Sequence, residues 1–126
     1  RIIYENHVHF RNDSKIIKWI NSHGAAILTV SSFTNSWHSI LAYQIHDGWV
    51  YCYDPAPRTK RFIDNEAVQF LSTSKLHDPN LKVRIDWIDR IFSEAKTPEE
   101  KKYILGCTEY RVCLLIKRIN RRPSSL

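Results

Sequence analysis

The apolar positions of this chain fall into two kinds of pattern, short β-rich runs and helical stripes. Ile2-Ile3-Tyr4 and Val8-His9-Phe10 suggest a short extended opening segment. Ile16, Ile17 and Ile20 make one helical face behind Asn12-Asp13-Ser14, which offers N-cap chemistry, and Gly24 is placed to stop that helix. The run Ala25-Ala26-Ile27-Leu28-Thr29-Val30 reads as a buried strand. Two β-rich runs, 37–44 and 49–54, flank Ile45-His46-Asp47-Gly48, whose Asp-Gly pair is a hairpin signal. Pro55 and Pro57 end the second run, because proline cannot continue a ladder. Beyond it the pattern predicts a short helix over 64–71, a loop at 77–80 and an amphipathic helix over 82–95, with Val83, Ile85, Trp87, Ile88, Ile91 and Phe92 apolar. Thr97-Pro98-Glu99-Glu100 combines a cap, a first-position proline and first-turn acids, and predicts a helix ending at Gly106. The Val-, Ile- and Leu-rich run 110–119 reads as a last strand. This order predicts an α+β domain, a mainly antiparallel sheet with flanking helices.

Composition narrows the class. The length of 126 residues fits a single domain spanning 1–126. The chain has no Met and begins at Arg1, so the expectation is an excised or processed C-terminal portion of a longer chain. No apolar run approaches the roughly 20 residues a membrane helix needs, so no membrane span is expected. Cys52, Cys107 and Cys113 are an odd count without scaffold spacing, which favours free thiols and a reducing compartment. With three Gly and no phosphate-cradling loop, nucleotide hydrolysis is not expected and no cofactor is implied. The formal charge is +6, and Lys117, Arg118, Arg121 and Arg122 crowd the C-terminus. Such a tail suits nucleic acid or an acidic partner, and is equally a solvated end.

His38 and Asp54 are the residues to weigh for chemistry, and hairpin register decides whether they meet. A five-residue loop places them directly opposite each other, and a three-residue loop makes them diagonal neighbours on one face. A two-residue Asp47-Gly48 turn would send them to opposite faces. A His beside an Asp is what a thiol or hydroxyl nucleophile needs, since the imidazole takes the proton and the carboxylate fixes its tautomer. The competing reading is a packed strand His and a turn-forming Asp before Pro.

Residues 14–71 resemble the second half of papain-like cysteine peptidases, nearest to the bacteriocin-exporter leader peptidases and the YopT-type effector proteases. The features that carry the resemblance are the helix ending at Gly24, the strand 25–30, His38-Ser39-Ile40-Leu41-Ala42-Tyr43, Gly48-Trp49-Val50-Tyr51-Cys52-Tyr53-Asp54-Pro55 and the segment from Glu66 to Leu71. Transglutaminase-like domains show a similar His-to-Asp-Pro pattern. The resemblance implies a papain-like α+β fold, with His38 as general base and Asp54 as its orienter. It implies a toxin- or effector-type thiol hydrolase or deamidase acting on peptide or glutamine amide bonds, delivered into a target cell. In those families the nucleophilic Cys precedes the His, whereas the first Cys here is Cys52. The thiol would then lie in an upstream Cys-bearing segment, or Ser14 would stand in its place, or the domain would be a non-catalytic binding remnant. Adenovirus-protease-like and SUMO-protease-like enzymes use the permuted order His, Asp, Cys, which resembles His38, Asp54 and Cys107. Cys107 is followed by Thr108, and the nearest upstream Gln is Gln69, so the local motif of those enzymes is not matched. The implied partners are a protein or peptide substrate and a cognate inhibitor.

The remaining candidates have plainer readings. Cys52 shares the strand face of Asp54, and Cys113 sits in an apolar run; both suit core packing. His7-Val8-His9 would place two imidazoles on one strand face, but without Cys-x-x-Cys or His-Glu-x-x-His no metal site is assigned. Trp19, Trp37, Trp49 and Trp87 occupy patterned positions, with Trp37 placed either to wall a cleft beside His38 or to pack. Arg58-Thr59-Lys60-Arg61 would give a nucleic-acid surface if it joined the basic tail, and a small basic ribonuclease is the second expectation.

Overall fold

A computed structural model describes residues 2–11, 14–22, 24–32, 36–56, 65–72, 78–107 and 111–117. Its centre is one seven-stranded sheet in which every pairing is antiparallel. In chain order the strands are β1 (Ile2–Asn6), β2 (Gly24–Ser31), β3 (Trp37–His46), β4 (Trp49–Tyr53), β5 (Val68–Phe70), β6 (Leu81–Arg84) and β7 (Val112–Lys117). Their spatial order is β1-β7-β2-β3-β4-β6-β5. Helix α1 (Lys15–Asn21) precedes β2, and the one-turn α2 (Ile85–Ile88) follows β6. Two 3-10 turns lie at Phe92–Glu94 and Glu99–Lys101.

Period-two alternation gives the sheet one apolar face. Ala26, Leu28, Val30, Ile40, Ala42, Val50, Cys52, Leu81, Val83, Cys113 and Leu115 are buried on it. Ile16 and Ile20 of α1 pack there, with Val8, Phe10, Ile88, Tyr103 and Leu105. Each fully buried aliphatic side chain contributes about 1.5–3 kcal/mol, so this face supplies most of the fold's stability. The helix α1 forms as its sequence predicts: Ser14 Oγ accepts from Ile17 N at 3.4 Å as N-cap. Gly24 follows closely because Trp19 lies over it; a Cβ there would sit 2.1 Å from Trp19 Nε1, which donates to the carbonyls of Ala25 and Ile116.

The α+β, papain-like expectation is corrected here, because the three expected helices beyond β4 are strand, loop or single helical turns. Within 64–71, Val68–Phe70 is β5, laid against β6. Asn65 Oδ1 does accept from Ala67 N and Val68 N, but it closes a turn that leads into a strand. At the start of 82–95, Lys82-Val83-Arg84 continues from Leu81 in period two, and pairing with both β4 and β5 decides for the strand. The start signal at Thr97 is real: Glu100 Oε1 accepts from Lys96 N and Thr97 N, and Thr97 Oγ1 accepts from Glu100 N. Those backbone donors hold the exposed Glu100 carboxyl below its usual range. Propagation fails after one turn, because Tyr103 takes φ 62° and its N–H goes to the Ser31 carbonyl at 2.9 Å. The result is a sheet-dominated, mostly β fold. Among the described residues no helix is long and apolar enough to cross a membrane.

Candidate functional site

The turn between β3 and β4 is the two-residue form. His46 pairs with Trp49 across Asp47 (φ 53°) and Gly48 (φ 82°), both in the left-handed region that such a turn requires. Taken alone, that register would separate His38 from Asp54. A β-bulge restores them. Gln44 pairs with Tyr51, yet Ala42 pairs with Cys52, so Tyr43 is an extra residue on β3 and the ladder beyond it shifts by one. Leu41 then pairs with Tyr53, which sets Asp54 opposite Ile40 and diagonal to His38 on the same face. The bulge also lets both halves of β3 bury apolar residues on that face, Ile40 and Ala42 before it and Ile45 after it.

His38 and Asp54 are therefore bonded, Nε2 to Oδ1 at 2.6 Å. Their side chains are 27% and 5% exposed. Every other acceptor site that matters on Asp54 is also engaged. Ala56 N donates to Oδ1 at 2.9 Å, and the Tyr103 hydroxyl donates to Oδ2 at 2.5 Å. Asn80 grips the backbone on both sides: its Oδ1 accepts from Asp54 N at 2.8 Å, and its Nδ2 donates to Asp54 O at 2.9 Å. With Asp54 as carboxylate, Nε2 of His38 carries the proton and Nδ1 keeps its lone pair. No described residue hydrogen-bonds to Nδ1.

His38 lines a cleft of about 140 Å³ together with Ser31, Ser32, Ser36, Trp37, Ala56, Lys102 and Tyr103. Trp37, half exposed, walls it and stands against Phe92 with ring centroids 5.9 Å apart. The Ser32 and Ser36 hydroxyls bond to each other at 2.5 Å. A base beside hydroxyls and an aromatic wall can take a proton from a bound nucleophile in a partly dry setting.

No thiol lines this cleft among the described residues. Cys52, on the strand face of Asp54, is buried in the core, and burial followed by the Asp54 charge pushes its thiol far up. Cys113 is pushed up to about 12, by burial first and the Glu5 carboxylate second, against the opposing charge of Lys15. Cys107 is half-buried, just after Gly106, with its carbonyl accepting from Arg111 Nε at 2.5 Å. His38 and Asp54 are brought together, and Cys107 is not among the residues that line the cleft.

His7 lies beyond the end of β1 at φ 53°, and His9 Nδ1 accepts from Arg11 N, so the two do not form the strand-face pair. Among the described residues no cluster of His, Cys, Asp or Glu is arranged to hold a metal. Ser14 caps α1. The basic cluster 58–61, Thr108 and the tail from 118 lie outside the described residues. Tyr103 and Asn80 are missing from the sequence reading, since each reaches Asp54 only through the fold. The signal for the bulge was present: inward apolar residues step by two from Ile40 to Ala42 and by three to Ile45. Comparison of the chain with protein-family models, curated proteins and solved structures finds no match in any of the three.

Proposed function

We propose that the cleft at His38 is the catalytic site of a hydrolase that transfers the acyl group of a peptide or glutamine amide to water. The observation that carries this reading is the bond between His38 Nε2 and the buried Asp54 Oδ1, at the edge of the cleft that His38 lines. Nδ1 takes the proton of an attacking thiol or hydroxyl, and the imidazolium then gives it to the departing amine or ammonia. Water resolves the acyl intermediate, so amide and water become carboxylic acid and amine. Asp54 orients the ring and stabilises the imidazolium. The resemblance of 14–71 to papain-like peptidases supports these two roles and is not extended to the fold. Cys107 takes part only if its thiol reaches Nδ1, and nothing in its hydrogen bonding brings it there.

The test is release of amine and ammonia from a panel of glutamine-containing peptides, comparing the wild type with His38→Ala. A fall of about 10²–10⁴-fold with an unchanged circular dichroism spectrum is expected. Equal turnover in the variant would remove His38 from the mechanism. The charge of +6 supports ribonuclease action at the same imidazole as a second reading. RNA cleavage that falls as salt rises, without amide turnover, would replace the first reading with the second.

A further inference from the structure

The buried phenol behind Asp54 has a placement that packing alone does not explain. Tyr103 is 2% exposed and adopts φ 62°, a region that non-glycine residues seldom occupy. Two backbone bonds hold it there: Tyr103 N to Ser31 O at 2.9 Å, and Ser31 N to Ile104 O at 2.8 Å. Those bonds fasten the segment to the end of β2, the strand that runs beside His38, with Val30 paired to His38. The outcome is a hydroxyl aimed at Asp54 Oδ2, the oxygen that His38 does not use.

We propose that Tyr103 is a positioning residue for His38, acting through Asp54; the proposal rests on the reading of His38 as general base. A carboxylate rotates readily about its Cβ–Cγ bond, and the Ala56 N–H restrains only Oδ1. Holding Oδ2 stops that rotation and keeps Oδ1 against the imidazole. That contact fixes the ring in its Nε2–H tautomer and leaves the basic nitrogen in the cleft. Asn80 fixes the backbone of Asp54, and Tyr103 fixes its head group.

The test is Tyr103→Phe, which removes one oxygen and keeps the ring packed against Phe70. Nitrogen-15 NMR of the His38 imidazole is expected to change from the Nε2–H tautomer to a mixture, with the Nε2-bound proton broadened by exchange. Turnover of the amide panel should fall roughly 10- to 100-fold in kcat with KM within about twofold. Replacing the tyrosines with 3-fluorotyrosine keeps the hydroxyl and should keep the wild-type tautomer. An unchanged tautomer in Tyr103→Phe would overturn the proposal, as would its equal loss with fluorotyrosine. In the unmodified protein the Tyr103 hydroxyl proton should appear as a slowly exchanging low-field resonance, and its absence would overturn the proposal even if Tyr103→Phe failed to fold. The NMR arms need no substrate, so a chain that hydrolyses nothing would end the functional reading while leaving Tyr103 as the residue that orients His38.

Discussion

Two carboxylates anchor polar networks in this molecule, and they end in different ways. Asp89 receives Phe10 N at 2.9 Å and Arg111 Nη1 at 2.7 Å. Arg111, 4% exposed, spends its remaining donors on the carbonyls of Val8, Asp89, Arg90 and Cys107. That network uses every nitrogen of the Arg111 guanidinium, and Oδ2 of Asp89 meets the exposed Arg11 Nε at 3.9 Å. It ties the segment after β1, the loop after α2 and the lead-in to β7 into one staple. Asp54 is as engaged as Asp89, but among the described residues nothing bonds the second ring nitrogen of its partner His38, which lines a cleft. Burial and charge are common to both places. Spare bonding capacity in contact with a cavity separates a reactive site from a structural one.

Substitutions should divide along that line. Arg111→Leu takes a buried guanidinium away from Asp89 and from the carbonyls of Val8, Asp89, Arg90 and Cys107, and is expected to cost about 3–5 kcal/mol in urea unfolding, enough to threaten the fold. Gly106→Ala strikes the same staple, whose Gly106 N–H goes to Arg90 O. With φ 83° and a Cβ 2.5 Å from the Phe92 ring, it should cost about 1–2 kcal/mol by the same measurement. His38→Ala, at the open network, leaves the buried Asp54 its bonds from Ala56 N and the Tyr103 hydroxyl, and should cost about 1–2 kcal/mol while removing activity. A larger loss of stability at His38 than at Arg111 would break the distinction.

Thiol reactivity sharpens it further. The raised Cys52 and Cys113 groups stay protonated at pH 8 and become nucleophilic only as pH rises towards their shifted values, so native alkylation mapped by mass spectrometry should spare both. Cys107 should be the first of the three to react. If its rate below pH 7 fell in His38→Ala, the thiol would be tied to the imidazole after all. The smallest effect is expected from deleting Tyr43. Removing the extra residue leaves Ala42 opposite Cys52 and Gln44 opposite Tyr51, so the imidazole signals of His38 should persist. Their loss would show that the bulge does more than keep register.

The sequence patterns foretold the hairpin, α1, β2 and β7 through local signals: Asp47-Gly48, the Ser14 cap and β-branched runs. They named His38 and Asp54 as partners under specified registers. The register turned on a single added residue at Tyr43, which reverses what the two-residue turn implies and whose one trace in the sequence is the three-residue apolar step from Ala42 to Ile45. Leu81 to Arg84 misled for a different reason. Its apolar positions suit both a helix stripe and a strand, and only the strands on either side of it choose between them. Tyr103 and Arg111 were invisible as site and staple residues, since their partners lie 49 and 22 residues away.

The most direct measurement of the central claim is the nitrogen-15 NMR tautomer of His38 at neutral pH, in the wild type and in Asp54→Asn. The account predicts a proton on Nε2 and a lone pair on Nδ1 in the wild type, and loss of that preference in the variant. A wild-type imidazole protonated on Nδ1, or one indifferent to Asp54→Asn, would contradict it.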